Sequence, residues 1–441
     1  MTYQDIIKYG ISQGIEEIEI YASTTVNKTL KVFNGALESF NSKDLFNLSI
    51  RGLVNGKMGY ASTESMSDES IRIAIDRLIN NTKLLTSTEK EEIFDGNCVY
   101  KAIEEIKNDA DKYSLSDKIN LLLNLEKQTL AYDERVKKVG YCQYVESEGR
   151  VNIINSKGVN LERNFSYLTL VCGAFAAEGE ETNVGYAFKI ALNFKDLDIY
   201  KLALEAGKKA VSGLFASSVK SGAYPVVFDK EVATDILQAF TGVFSGYNAM
   251  KNMTMLNGKV GEKVFGDNIT FIDDPFHKNA LIKCSFDDEA YPCNTRKVVE
   301  NGVFKGFFHS LKTAKFFGEE PTGNGFRTRD QIIPSVTNFY LAPGDYSKEQ
   351  LFEGINEGIY ITDVSGLHAG LNVVAGTFNL QSSGYMIRNG RLAEAITLFV
   401  VSGNFFDMLN NVEKIGNDLP EEFTDVASPS IKVNGLMISC K

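Results

Sequence analysis

The sequence predicts an α+β protein: two small N-terminal α+β domains, then a large β-rich C-terminal domain built as a curved antiparallel sheet or distorted barrel. Three observations carry this. A chain of 441 residues is too long for one small core. The order helix, strands, helix occurs twice in the first half. Asn-Gly dipeptides then recur between β-type runs through the second half, and Asn-Gly supplies the positive φ angles a tight hairpin needs. The expected limits are 1–90, 110–215 and 220–441.

In the first unit Thr2 and Asp5 form a capping signal for a helix through Ser12, which Gly14 ends. Ile18 and Ile20 alternate with Glu17 and Glu19, the period of a half-buried strand. More short strands follow, punctuated by Asn34-Gly35 and Asn55-Gly56. Ser65 with Asp68 opens a second helix with Ile71, Ile75, Leu78 and Ile79 on one face. Leu85–Asn97 is acidic and polar and reads as a linker.

The second unit starts with a helix capped by Ser114 and Asp117, with Ile119, Leu122, Leu123 and Leu130 on one side. Strands are expected at Val139–Val145, Val151–Ile154, Tyr167–Phe175 and Tyr186–Leu192. Asp196–Leu214 is helical, with Ile199, Leu202, Ala203, Ala206 and Ala210 as its buried stripe. The two units share an order of elements without residue-level identity, so duplication and coincidence both remain open.

The third unit carries Asn-Gly at Asn257, Asn301, Asn324, Asn389 and Asn434. Three helices interrupt the strands: Glu231–Val243, Ser310–Phe317, and one from a Ser347/Gln350 capping box to near Gly358. The stretch Phe244–Arg327 is dense in Gly, Asn and Asp, the composition of loops displayed on a β scaffold, where binding groups sit.

Lys plus Arg number 46 against 57 Asp plus Glu, a net charge of −11 with no basic cluster. Phosphate backbones repel such a surface, which argues against direct nucleic-acid binding. No export signal and no membrane-length apolar stretch is visible, and six scattered cysteines lack a C-x-x-C spacing. The expectation is a cytoplasmic chain with reduced thiols and no membrane association.

The chemistry-bearing residues are sparse. His277, His309 and His368 are the three histidines, and no two share a helix turn, so a zincin pair is absent. His277 with Cys284 and Cys293 matches no common zinc spacing; a loop histidine and two partly buried thiols are expected. There is no nucleophile elbow and no phosphate-binding loop. Asp273-Asp274 and Asp287-Asp288-Glu289 could offer oxygen ligands to a cation, but adjacent acids more often form a solvated turn. His309 ends an apolar strand and is expected inward and hydrogen-bonded. Asn324, Arg327 and His368 remain as substrate-binding candidates. Arg327 has the chemistry to hold a peptide carbonyl or carboxylate, although an exposed ion pair is the commoner outcome. No catalytic residue and no metal ligand is assigned.

Several long pieces, FDDEAYPCNTRKVVENGVFKG, PTGNGFR, GLHAGLN, FNLQSSGYMIRNG and SGNFFDMLNNVEKIGNDL, occur in an order that resembles the TldD/PmbA family, also labelled modulators of DNA gyrase. Ala290 stands where that family usually has Gly. The resemblance covers the whole chain and implies a cytoplasmic peptidase complex of two related subunits. In that family the TldD-type subunit carries an H-E-x-x-x-H helix and a distant Cys as zinc ligands. The corresponding helix here reads TDILQAFTGVFSG, Thr234–Gly246, with neither His nor Glu, and Gly416–Pro429 has no Cys. The resemblance is therefore to the PmbA, or TldE, type: a subunit without its own zinc, paired with a TldD-type metallopeptidase that holds the zinc and acts on unfolded or modified peptides. A homodimer in isolation is also open. The competing functions are a stand-alone hydrolase with an unrecognised site and a peptide-binding module without enzymatic output.

Overall fold

The computed structural model describes residues 1–85, 91–104, 107–328 and 331–440. Helix α1 (Tyr3–Ser12) leads into strands β1 (Glu17–Phe33), β2 (Ala36–Val54) and β3 (Lys57–Thr63), then helix α2 (Asp68–Leu84). Helix α3 (Leu115–Leu130) precedes β4 (Val136–Asn155), β5 (Asn160–Glu178), β6 (Glu181–Ala191) and helix α4 (Ile199–Ser212). These six strands form one antiparallel sheet in the order β3-β2-β1-β4-β5-β6.

The join between the two units is the long strand β1. It pairs with β2 from Glu17↔Leu53 to Phe33↔Ala36 and with β4 from Glu19↔Asn155 to Lys31↔Gln143. Its first part places Ile18, Ile20 and Ala22 in a core with Ile6, Ile71, Ile75 and Leu78 of α1 and α2. Its last part places Leu30 and Val32 in a second core with Leu122, Leu125 and the alanine stripe Ala203, Ala206 and Ala210 of α4. Burial of apolar faces thus builds two cores on one ladder. The short strands expected in the first unit are instead two of 17 and 19 residues. Polar residues such as Thr24, Asn27, Asn41 and Lys43 interrupt the apolar alternation, so the period fades while the ladder continues.

The third unit holds β7 (Gly222–Phe228), α5 (Lys230–Phe240), α6 (Gly246–Met250), β8 (Phe271–Asp273), β9 (Arg296–Glu300), β10 (Val303–Phe304) and α7 (Leu311–Phe317). There follow β11 (Gly325–Thr328), β12 (Gln331–Pro334), β13 (Phe339–Leu341), α8 (Lys348–Phe352) and β14 (Glu357–Ser365). The chain ends with β15 (Leu371–Asn372), β16 (Thr377–Arg388), β17 (Arg391–Asn404), α9 (Phe405–Asn410), β18 (Val412–Ile415), β19 (Val426–Ala427) and β20 (Ile431–Cys440). Five strands run β14-β7-β20-β17-β16, and β16 pairs back onto β14, which closes them into a barrel. A second sheet, β10-β9-β8-β13-β19, packs beside it through a phenylalanine-rich core that includes Phe228, Phe240, Phe244, Phe271, Phe304, Phe339, Phe378 and Phe399. The expected sheet was antiparallel, but β14 runs parallel to β7 and β13 to β19. Long connections separate those partners in sequence, so hairpin logic does not reach them.

Four Asn-Gly pairs make the expected hairpins, with both residues at positive φ: Asn34-Gly35, Asn55-Gly56, Asn301-Gly302 and Asn389-Gly390. Asn257, Asn324 and Asn434 do not. Asn434-Gly435 lies within β20, where the pairing with β7 shifts register between Val433 and Leu436. Capping boxes at Thr2, Ser114 and Ser347 form as expected. Helix α2 is capped by Ser67 rather than Ser65. Helix α8 ends at Phe352, well short of Gly358, because Glu357 already starts β14. The linker stretch 91–97 has neither helix nor strand; residues 86–90 lie outside the described residues. Among the described residues no helix is long and apolar enough to cross a membrane.

Candidate functional site

Two places gather polar chemistry. The first is the junction between the six-stranded sheet and the third unit. Residues 285–293 form a tight loop: Cys293 N donates to Ser285 O at 3.0 Å, and Asp287 N donates to Tyr291 O at 2.9 Å. Ala290 sits at φ 62 in this turn, a left-handed position that glycine would take without strain. The loop carries Asp287, Asp288 and Glu289, all buried. A solvated acidic turn was the expectation, and the structure corrects it: each carboxylate has a built set of donors.

Asp287 accepts from the backbone N–H of Gly325, Glu289 and Tyr291 at 2.8, 2.9 and 2.9 Å. Asp288 pairs with Arg163 of β5 and accepts from Arg327 N at 2.7 Å. Glu289 accepts from Arg51 Nη1 of β2 at 2.9 Å and from Leu311 N at 2.7 Å. Glu19 of β1, fully buried, then joins Arg51 at 2.7 Å and Arg327 at 2.7 Å through one oxygen. Charge here alternates in sign along a chain of groups from both halves of the molecule. Burial, then the neighbouring Glu289, push Asp287 well above the ordinary carboxylate range despite its three N–H donors. Burial opposes the charge on Arg51, but Glu19 and Glu289 outweigh it and hold the guanidinium protonated.

Arg327 was a candidate for holding a peptide. Its Nη2 is engaged by Glu19 and its Nη1 donates to Ser49 Oγ at 3.1 Å. Its ion pair is buried, not exposed. Asn324 is also buried; its Nδ2 donates to Asp273 Oδ2 and Ser335 O, both at 2.9 Å, while its Oδ1 accepts from Thr322 at 2.7 Å. Burial pushes Asp273 up to about 6 against those bonds. Asn324, just before β11, thus holds the third unit together, while Arg327 within β11 ties it to β1 and β2. His368 is exposed in the connection between β14 and β15 and joins neither by a hydrogen bond among the described residues. His309 is inward as expected, with Nδ1 3.2 Å from Thr313 Oγ1; burial, then Arg296, lower it to about 4. His277 packs between Tyr340 and Phe423.

The second place is a polar cavity of about 360 Å³ between the second unit and the barrel. Tyr186 of β6 and Lys209 of α4 face Asp363, Ser382, Tyr385 and Leu398 of the barrel strands across it. Strand β6 is the last strand of its sheet, so its outer backbone edge has no strand partner among the described residues. Lys209 bridges Glu205 at 2.8 Å and Glu231 at 3.0 Å. Asp235, on the outward side of α5, is exposed and does not line the cavity itself. Desolvation, then Glu231 and Asp363, raise it to about 6. No motif in the sequence marks Lys209 or Asp363, because the cleft joins residues from distant segments.

The resemblance implies zinc in a complex of this kind, and α5 is the helix that would meet it. Its inward side chains are Val232, Ala233, Ile236, Leu237 and Phe240. Against them lies an apolar void of about 10 Å³, lined also by Met408, Ser428 and Ile431. Ser428 N donates to Thr234 Oγ1 at 2.9 Å where α5 meets the late segment. Zinc takes imidazole, thiolate or carboxylate donors in a tetrahedral set. These residues do not fit it, and among the described residues no three His, Cys, Asp or Glu side chains gather as a cation cage.

Family models match along the chain: PmbA/TldA metallopeptidase domain 1 over residues 18–82, the central domain over 108–214 and the C-terminal domain over 221–440. A metalloprotease of Methanocaldococcus jannaschii is 26% identical, with 91% of each chain covered. A solved Thermotoga maritima structure that carries the name of a DNA gyrase modulator superposes with a TM-score of 0.89 at 30% identity, covering 99% of both chains. The structure of TldE from Thermococcus kodakarensis shares the fold, with a TM-score of 0.87 at 23% identity and 99% coverage of both.

Proposed function

The chain belongs to the PmbA/TldD metallopeptidase family, and from that premise we propose that it is the PmbA/TldE-type subunit of a cytoplasmic two-subunit peptidase, a subunit that carries no zinc of its own. Its TldD-type partner would hold the zinc and cleave unfolded or modified peptides; this chain would help to enclose and bind them.

The observation that carries the proposal is α5. Its inward face is hydrocarbon, and its outward face offers Thr234, Asp235 and Gln238 in place of imidazoles. A helix so packed has no donor set for a catalytic cation, yet the surrounding fold is that of the family. Catalysis assigned to a sibling chain reconciles the two. The free edge of β6 beside a polar cavity supports the binding role, since an unpaired strand edge presents backbone donors and acceptors to an extended chain.

The test is to mix the purified chain with a TldD-type protein from the same cell and to follow complex formation and cleavage of an unfolded peptide. Association with at least a tenfold gain in cleavage over either chain alone is expected. Failure to associate, with no change in activity, would refute the assignment. Asp235 favours a second reading, acid–base hydrolysis by this chain alone, because a carboxyl that titrates near 6 can exchange protons near neutrality. Cleavage by the pure chain that Asp235→Asn abolishes would establish that reading instead.

A further inference from the structure

Cys284 and Cys293 are the two thiols at the base of the carboxylate loop. Their sulfurs lie 3.8 Å apart, and both side chains are buried. At that separation the sulfurs touch, with no atom between them. The backbone between them is already folded back on itself. Phe286 and Pro292 form an antiparallel bridge, and bonds from Cys293 N to Ser285 O and from Asp287 N to Tyr291 O flank it. The loop closure that a disulfide must pay for in a flexible chain is therefore complete in the reduced fold.

The Cys293 thiol has a second contact. Its Sγ donates to Gly323 O at 3.0 Å, which fastens the carboxylate loop to the segment that carries Asn324 and Arg327. The two loops are in close register there: a Cβ on Gly323 would come within 2.4 Å of Pro292 O. Cys284 makes no such bond to that segment; beyond Cys293 its backbone N–H donates to Pro275 O at 3.4 Å. The two sulfurs thus have different jobs in the reduced state, although the sequence shows no C-x-x-C spacing.

We propose that Cys284 and Cys293 form a redox modification site, closed to an intramolecular disulfide by a small peroxide, and that closure removes one of the bonds that hold the carboxylate loop to residues 323–327, loosening that segment. In the first step the Cys284 sulfur attacks one peroxide oxygen. The O–O bond breaks, water leaves and Cys284 becomes a sulfenic acid. In the second step the Cys293 sulfur attacks the Cys284 sulfur. The S–O bond breaks, a second water leaves and the S–S bond forms. Two thiols and one hydrogen peroxide thus yield one disulfide and two waters: the sulfurs are oxidised and the peroxide oxygens reduced. Only a compact oxidant suits such buried sulfurs, and burial of Cys293 disfavours its free thiolate. Closure consumes the S–H that held Gly323 O, so that carbonyl loses its donor. The consequence reaches Arg327, whose backbone N–H is held by Asp288 of the same loop.

The sequence provides a clean assay. Trypsin cuts after Lys283 and after Arg296 to release the peptide CSFDDEAYPCNTR, which contains both cysteines and no internal Lys or Arg. The full folded chain is treated with hydrogen peroxide, free thiols are alkylated under denaturing conditions, and the peptide is weighed. A parallel sample is oxidised in urea. Expected is a peptide lighter by two hydrogens, unalkylated at both cysteines and restored by a dithiol reductant. It should form roughly tenfold faster in the folded chain than in the unfolded one, because the sulfurs start in contact. Amide exchange at residues 323–327 should quicken on oxidation and return on reduction. Cys293→Ser, which keeps a donor for Gly323 O, should abolish the linked peptide while leaving exchange in that segment slow. A peptide that stays doubly alkylated, that carries only sulfinic or sulfonic acids, or that closes no faster folded than unfolded overturns the proposal. So does closure without any change in exchange at 323–327.

Discussion

Glu19 holds two guanidinium groups through one carboxylate oxygen, and both partners are nearly sealed from water. Its other oxygen, Arg51 Nη2 and Arg327 Nε have no protein partner among the described residues. A buried charge that loses its counter-charge costs far more than an exposed pair ever contributes. Glu19→Gln is therefore expected to destabilise the chain by roughly 3–5 kcal/mol, read as a shift in the urea midpoint. His309 gives a pH prediction. It titrates at about 4 in the fold and near 6.5 when unfolded. Between those values the unfolded chain binds a proton that the folded chain refuses, so stability falls as pH drops from about 6.5 to about 4. Asp273 acts in the opposite direction. Its folded value of about 6 lies above the ordinary 3.8, so its contribution grows as pH falls across that same interval. Denaturant titrations of His309→Asn should show a shallower acid loss than the parent chain. An unchanged profile would mean that His309 does not titrate as assigned. At this scale the sequence was only partly legible. The inward His309 followed from the apolar strand that it ends; the two thiols, expected partly buried because their spacing matches no zinc motif, are both buried. The acidic loop was misread because Arg51, Arg163 and Glu19 lie more than a hundred residues from it, beyond any local pattern.

Elements were legible where their signals are local. Capping boxes at Thr2, Ser114 and Ser347 fix helix starts because the donor and acceptor lie three residues apart. Asn-Gly fixed four hairpins for the same reason. It failed at Asn324, where the asparagine side chain serves a buried network instead, and at Asn434, which sits in a bulge. Two of the hairpin glycines differ in what surrounds them. Gly35, at φ +74, has open space around a notional Cβ, whereas a Cβ on Gly302 would meet Phe265 O at 2.3 Å. Gly35→Ala should cost about 1 kcal/mol from left-handed strain alone. Gly302→Ala adds a backbone clash and should cost about 2–3 kcal/mol or more. Equal midpoints for the two variants in urea would contradict this difference. Strand length was the least legible property of the elements. Strands β1 and β2 run on through polar residues because their ladders are satisfied by neighbours on the sheet, which one segment of sequence does not display.

At the scale of the molecule, the α+β class and the β-rich third unit were readable mainly from the family resemblance, supported by the spacing of the Asn-Gly turns. Barrel closure was not, since the β14–β16 and β14–β7 pairings join distant segments. The first two units share β1, and this has an experimental consequence. A fragment of residues 1–90 would keep the core of α1 and α2 but expose Leu30 and Val32 and leave one side of β1 without β4. Such a fragment should show little cooperative unfolding by circular dichroism, whereas residues 1–215 should unfold in a single transition. A cooperative 1–90 fragment would show that the second core adds nothing to the first. The buried charges at the junction act at this scale as well, because the pairs Arg163–Asp288, Arg51–Glu289 and Arg327–Glu19 each join the two halves.

The closed barrel settles where another polypeptide could be knitted on. A ring of five strands has neither beginning nor end, so further pairing is confined to where a strand overruns its neighbour, and there β15 already covers β16 and β18 covers β20. The open six-stranded sheet does have margins, at β3 and β6. Recruitment by backbone pairing, wanted or unwanted, is thereby turned away from the ring and left to those margins and to the outer strands, β10 and β19, of the second sheet.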